Sequence, residues 1–192
     1  MTGPAHPLPP WLEPVLAFLN TIDVEEGTDA LAGGTAALAS WLAGQGLLTE
    51  PAILRPGDHR RALDLREGLR AHALANNGGP ADHVAIGRLR SLLADLPLVV
   101  DPTLPGEPAP AEAPPLLRPH GRPPGVVALG RLAAGYALAL ATGRWQRLRR
   151  CPAEDCGWVF WDSSAKGTRR WCTMRVCGNR AKARAFAQRH AG

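Results

Sequence analysis

Four cysteines crowd into the last 42 residues of a 192-residue chain, as Cys151-x4-Cys156, fifteen intervening residues, then Cys172-x4-Cys177. Two pairs separated by a hairpin-sized loop make the four-thiolate set that tetrahedral zinc prefers, and four residues within a pair lie at the upper end of the usual spacing. Two disulfides are the alternative in an oxidising compartment, and iron is a weaker competitor for four thiolates. About 40 residues bury too little apolar surface to fold alone, so one structural zinc ion is expected to stabilise this end. With all four positions taken by thiolates, no open position remains for water or substrate.

The residues between the pairs extend this reading. Trp158 to Trp161 is a β-like run, Asp162 to Gly167 a turn, and Thr168 to Trp171 a returning strand, giving a zinc-pinned hairpin. Thr173 is a plausible cap for a helix running to about His190, with Cys177 in or just before its first turn. A knuckle, a hairpin and a helix that supplies the last ligand form a treble-clef-like (α+β) module.

Charge divides the chain at the same place. Residues 144–192 carry twelve Lys/Arg against three Asp/Glu, whereas residues 1–143 carry ten against fourteen. A basic end on an acidic body suits a polyanion partner. Arg169, Arg170, Arg175, Arg180, Lys182, Arg184 and Arg189 are the candidates for contact with double-stranded DNA. Most of them suit phosphates, and Arg184 is the candidate for a base edge. For Asn179 and Arg180 the competing role is internal, bracing the turn beside Cys177. Trp158, Trp161 and Trp171 are more easily explained as the core of so small a module than as stacking platforms for single strands.

Upstream, apolar spacing predicts a mainly α domain over residues 1–143. One helix spans Trp11 to Asn20, and a second is capped by Thr28 or Asp29 and stopped at Gly44 to Gly46. A third opens at Asp58 and ends at the Asn76-Asn77-Gly78-Gly79-Pro80 run, and a fourth covers Asp82 to Leu96. Leu98 to Val100 pairs with Leu116 and Leu117 as a small β-hairpin across a Pro- and Ala-rich tip. The Val126 to Thr142 helix is apolar nearly all round, which suits either the centre of the body or a homodimer seam. Arg66 and Arg70 sit four apart on one helix, where like charges need neutralising. A small anionic ligand would do this, and so would Asp64, Glu67 or an acid from another helix.

The stretch CPAEDCGWVFWDSSAKGTRRWCTMRVCGNRAKAR resembles the CGNR zinc finger of bacterial proteins, with Cys177-Gly178-Asn179-Arg180 as its signature. The LAFLNT run ending at Thr21, the ALASWL segment around Trp41 and the ALDLREGLRA segment around Arg66 resemble the ABATE domain that precedes this finger. Together the resemblances imply a transcription regulator of a stress- or metabolite-responsive kind. The expected organisation is a body, 1–143, that senses a ligand or dimerises, and a basic connector with a finger, 144–192. An RNA-binding module and a zinc-stapled protein-interaction adaptor are the alternatives. No Gly-rich phosphate loop, nucleophile elbow or open metal site is apparent, so catalysis is not expected. No basic start followed by an apolar stretch opens the sequence, and no uninterrupted apolar run reaches roughly 20 residues, so a cytoplasmic protein with no membrane partner is expected.

Overall fold

The computed structural model describes residues 6–48, 52–102, 116–121 and 123–190. Apart from two 3-10 turns, Pro10–Leu12 and Trp145–Arg147, the described helices and strands begin in chain order with α1 (Glu13–Leu19), β1 (Ile22–Asp23), β2 (Thr28–Asp29), α2 (Gly34–Gly44) and α3 (Pro56–Ala75). They continue with α4 (His83–Ala94), β3 (Leu98–Asp101), β4 (Leu116–Pro119), α5 (Pro124–Ala141), β5 (Leu148–Arg150), β6 (Val159–Trp161) and α6 (Asn179–His190). The strands form three separate antiparallel pairs, β1 with β2, β3 with β4 and β5 with β6. The fold is thus mainly helical, and α3 lies at its centre against α1, α2, α4, α5 and β5.

Local chemistry sets most helix limits. Asp58 accepts the Arg55 backbone N–H at 2.9 Å, and Asp82 accepts that of Ala85 at 2.9 Å, so both acids satisfy donors that a helix start leaves free. The β3–β4 hairpin pairs Leu98 with Pro119 and Val100 with Leu117, as the apolar runs suggested. Its expected flexible tip falls in residues 103–115, outside the described residues.

Two sequence expectations need correcting. Thr28 and Asp29 do not cap the second helix, because they pair with β1, and α2 begins only at Gly34. Gly34 holds φ +73°, a backbone conformation costly for other residues, and this turns the chain into the helix. The partner of the Val159–Trp161 strand is Leu148–Arg150, upstream in the basic connector, and Thr168–Trp171 forms no strand. The Cys151–Cys156 knuckle is therefore the tip of the β5–β6 hairpin, and the backbone N–H of Cys151 donates to Trp158 O at 2.8 Å.

One main core joins the body to this hairpin. Phe18, Leu38, Leu65, Leu69, Leu129 and Leu132 pack with Trp145, Leu148, Val159 and Trp161. A second, smaller core surrounds the cysteines, with Ala153, Phe160, Trp171 and Val176. Helix α5 has the length and apolarity of a membrane span, 18 residues at mean hydropathy 1.4. Its Ala128, Leu129, Leu132, Ala133 and Tyr136 are buried within the body, which accounts for a helix apolar nearly all round without a second subunit.

An aromatic cluster fastens α3 to α5. His72 Nδ1 lies 2.9 Å from the Tyr136 hydroxyl, and Tyr136 meets the Trp145 ring edge to face at 4.6 Å. Burial lowers the His72 pKa from its ordinary 6.5. The unfolded chain therefore takes up a proton at this position that the native one refuses, and stability falls as pH drops below about 6.5. His72→Gln is expected to flatten this acid limb in melts between pH 7 and 5, and parallel limbs in both proteins would remove His72 from the effect.

Candidate metal centre and basic face

The hairpin tip supplies Cys151 and Cys156, Cys172 follows the loop, and a five-residue π-helical turn, Met174–Gly178, holds Cys177 just before the last helix. Thr173 caps that turn by accepting the Val176 N–H at 3.2 Å. The four sulfurs lie within 4.8 Å of one another, with Cys156 to Cys172 at 3.6 Å and Cys172 to Cys177 at 3.4 Å. Zinc–sulfur bonds of about 2.3 Å place tetrahedral sulfurs about 3.8 Å apart, so the quartet fits the ion. Disulfide sulfurs sit at about 2.05 Å, and all four thiols are free here. Burial and the neighbouring thiols push Cys172 well above the ordinary thiol range, and burial pushes Cys177 up to about 11. A cation among the sulfurs is what makes their joint ionisation favourable.

Around this centre the connector arginines act internally. Arg147 Nη1 donates to the carbonyls of Asp162, at 2.8 Å, and Ser164, at 2.7 Å, and Arg149 donates to that of Gly167. Asp162, fully buried, accepts the backbone N–H of Ser164 and of Arg169. The loop between the cysteine pairs is thus folded by polar side chains rather than by a returning strand. Trp161 is in the main core and donates to His6 O at 2.7 Å, Trp171 is half-buried against the cysteines, and Trp158 is 39% exposed. Two of the three tryptophans thus serve the cores.

The seven basic candidates fall into distinct settings. Arg169 lies over the Phe160 ring and donates to Trp171 O, and Arg170 lies over the Trp171 ring. Arg180 bonds Glu25 in the β1–β2 turn at 2.7 Å and reaches Asp155 at 3.5 Å. Asn179 donates to Arg175 O and so braces the turn beside Cys177, whereas Arg180 reaches away from that turn to the body and the knuckle. Arg184 meets Asp155 at 3.4 Å. Arg175, Lys182 and Arg189 are exposed and make no ion pair among the described residues.

Arg66 and Arg70 project into the protein, on the same face of α3 as Ala62, Leu65, Leu69 and Ala73. Arg66 holds both carboxylate oxygens of Asp29 at 2.7 Å and the Thr21 hydroxyl at 2.9 Å. Its side-chain hydrogen bond is the main reason the Asp29 pKa falls below 3.8. Arg70, 1% exposed, donates to the carbonyls of Leu19 and Gly157. Asp29 of β2 is the main neutralising acid, Glu67 of the same helix lies 3.5 Å from Arg66 Nε, and protein acceptors take the terminal guanidinium nitrogens of both arginines.

Three asparagines that the sequence did not single out complete the joint. Asn20 donates to Val159 O and accepts the Val159 N–H, extending β6 with a side chain. Asn76 donates to the carbonyls of Trp145 and Leu148, and Asn77 to those of Arg150 and Arg170. A usable signal was present: Gly78, at φ +75°, makes the turn after α3, so the two asparagines before it are not needed there.

Against this geometry, the family model of the CGNR zinc finger matches residues 147–190. The ABATE model, described as "Putative stress-induced transcription regulator", matches residues 12–144, well over half of the chain. The chain belongs to the ABATE family. No curated protein matches it in a sequence search. An ABATE body followed by a CGNR finger with a fitted cysteine quartet makes this a zinc-binding regulator with one structural zinc.

Proposed function

We propose that the chain regulates transcription by binding double-stranded DNA through α6 and the Arg169–Arg170 approach. The observation that carries this is α6 itself. None of its twelve residues is buried, and it holds Arg180, Lys182, Arg184 and Arg189 without one acid. A helix this short is marginal in water on its own, so an exposed, wholly cationic one suits a polyanion that receives it. The exposed Lys182, Arg189, Arg175, Arg169 and Arg170 are the phosphate contacts in this reading. Arg180 and Arg184 are held by Glu25 and Asp155 on the side of α6 that faces the body and the knuckle, which removes Arg184 from the base-edge role. The zinc holds the fold and performs no chemistry, and two chains on adjacent half-sites supply the contacts that one finger lacks.

The test is a salt titration of duplex binding by the full, zinc-loaded chain. Each lost phosphate contact lowers the slope of log affinity against log salt by about 0.9, so Arg169→Glu with Arg170→Glu is expected to lower it by about 1.8 on every duplex alike. Retention of duplex binding in excess single-stranded RNA separates this reading from an RNA-binding module. Salt-independent affinity, or none, would support an interaction adaptor instead.

A further inference from the structure

Phe186 is 58% exposed, in the middle of the most basic helix of the chain. A lone exposed apolar side chain means little. This one has a defined setting. Ala181, Ala185, Arg184 and Gln188 line the groove between α6 and the knuckle. Asn179, Ala183, Phe186 and His190, spaced four, three and four apart, therefore follow the opposite side of the helix, facing away from the finger. Lys182 and Arg189 flank Phe186 at four before and three after. Its ring stacks on that of His190 at 4.0 Å and 26°, and His190 Nδ1 lies 2.9 Å from Phe186 O, so the ring is held in place.

A second copy of the chain is a poor occupant for this face, because the cations of two such helices would repel. An apolar ring between cations suits a surface that is anionic at its edges and apolar at one point. The major groove of duplex DNA admits an α-helix between two phosphate rows, and the thymine 5-methyl is the apolar group on its floor. We propose that Phe186 is a specificity-determining residue that recognises a thymine methyl, with Lys182 and Arg189 on the adjoining phosphates. This rests on the DNA-binding reading and adds to it the residue that selects the base.

The experiment uses the full zinc-loaded chain and a duplex selected from random sequence, with each thymine replaced in turn by deoxyuridine, which removes only the methyl group. At one position per half-site the wild type is expected to bind about fourfold more weakly, the factor for one buried methyl-sized group. Phe186→Ala is expected to bind the two duplexes equally, with its salt slope, zinc content and helicity unchanged. Phe186→Leu, which keeps an apolar tip, should retain part of the discrimination. Equal thymine preference in wild type and Phe186→Ala, or no methyl effect at any position, overturns the proposal while leaving DNA binding intact. Failure of the wild type to bind any duplex at low salt overturns the underlying reading and the proposal with it. A DNA-free dimer that Phe186→Ala converts to monomer would assign the ring to a protein seam and likewise overturn it.

Discussion

Replacing Cys177 by serine is expected to abolish stoichiometric zinc and to lower stability on the order of 5 kcal/mol, well inside the apparent zinc-binding energy of isolated fingers. For a chain of this size that is a fall in Tm of roughly 10 to 20 °C. The distinguishing result is where order ends. Leu148, Val159 and Trp161 are packed in the main core, whereas Trp171, Cys172 and Val176 pack only around the cysteines. The β5–β6 hairpin should therefore survive loss of the metal, and the segment from about residue 163 onward should not. Trypsin acting on the zinc-stripped protein is expected to cut at Lys166, Arg169 and Arg170, and mass spectrometry of the resistant fragment would show this. Prompt cleavage at Arg144, Arg147 or Arg149 instead would mean that the hairpin depends on zinc and that the finger begins where the connector does.

Arg70→Ala is expected to cost about 3 kcal/mol, since it leaves two buried carbonyls, of Leu19 and Gly157, without their charged donor and opens a cavity beneath α1. Gly157 has φ +61°, and a Cβ there would meet Arg70 Nη2 at 3.2 Å, so the guanidinium lies close against the knuckle backbone. Burial, with the charge of Arg150 beside it, pulls the Arg70 pKa down to about 10, so the interaction carries a desolvation cost of its own. Arg70→Met separates the two contributions: it fills the space but donates nothing. If the methionine variant melts with the wild type, lost desolvation offsets the lost hydrogen bonds and Arg70 is no net fastener. Hydrogen exchange should meanwhile show faster opening at Gly157 and β6 in Arg70→Ala than in α4, which lies away from the joint.

The parts of this molecule visible in the sequence are those whose cause is local. Four thiols at metal spacing, an acid at a helix start and a Gly after a helix end each act within a few residues, and the metal centre and most helix limits were found that way. What escaped depended on distant partners. Arg66 and Arg70 share the core stripe of α3 with Leu65 and Leu69, yet spacing alone left a small anion and nearby acids as their partners, because their main acceptors lie 37 to 87 residues away in sequence. Asp29 had the composition of a helix cap and became a strand residue and the counter-ion of Arg66. Leu148–Arg150 was mistaken for a connector because a three-residue strand has almost no periodicity to detect, and its partner comes after the knuckle.

Asn76 and Asn77 reach the finger only through carbonyl oxygens, those of Trp145, Leu148, Arg150 and Arg170. A carbonyl is the same whichever side chain stands beside it. At position 170 the amide of Asn77 holds the backbone carbonyl, so the joint does not depend on the exposed Arg170 side chain, which lies over the Trp171 ring. The attachment is thus indifferent to what the finger displays there. A substitution at position 170 changes the charge the finger presents while the carbonyl that Asn77 holds stays in place.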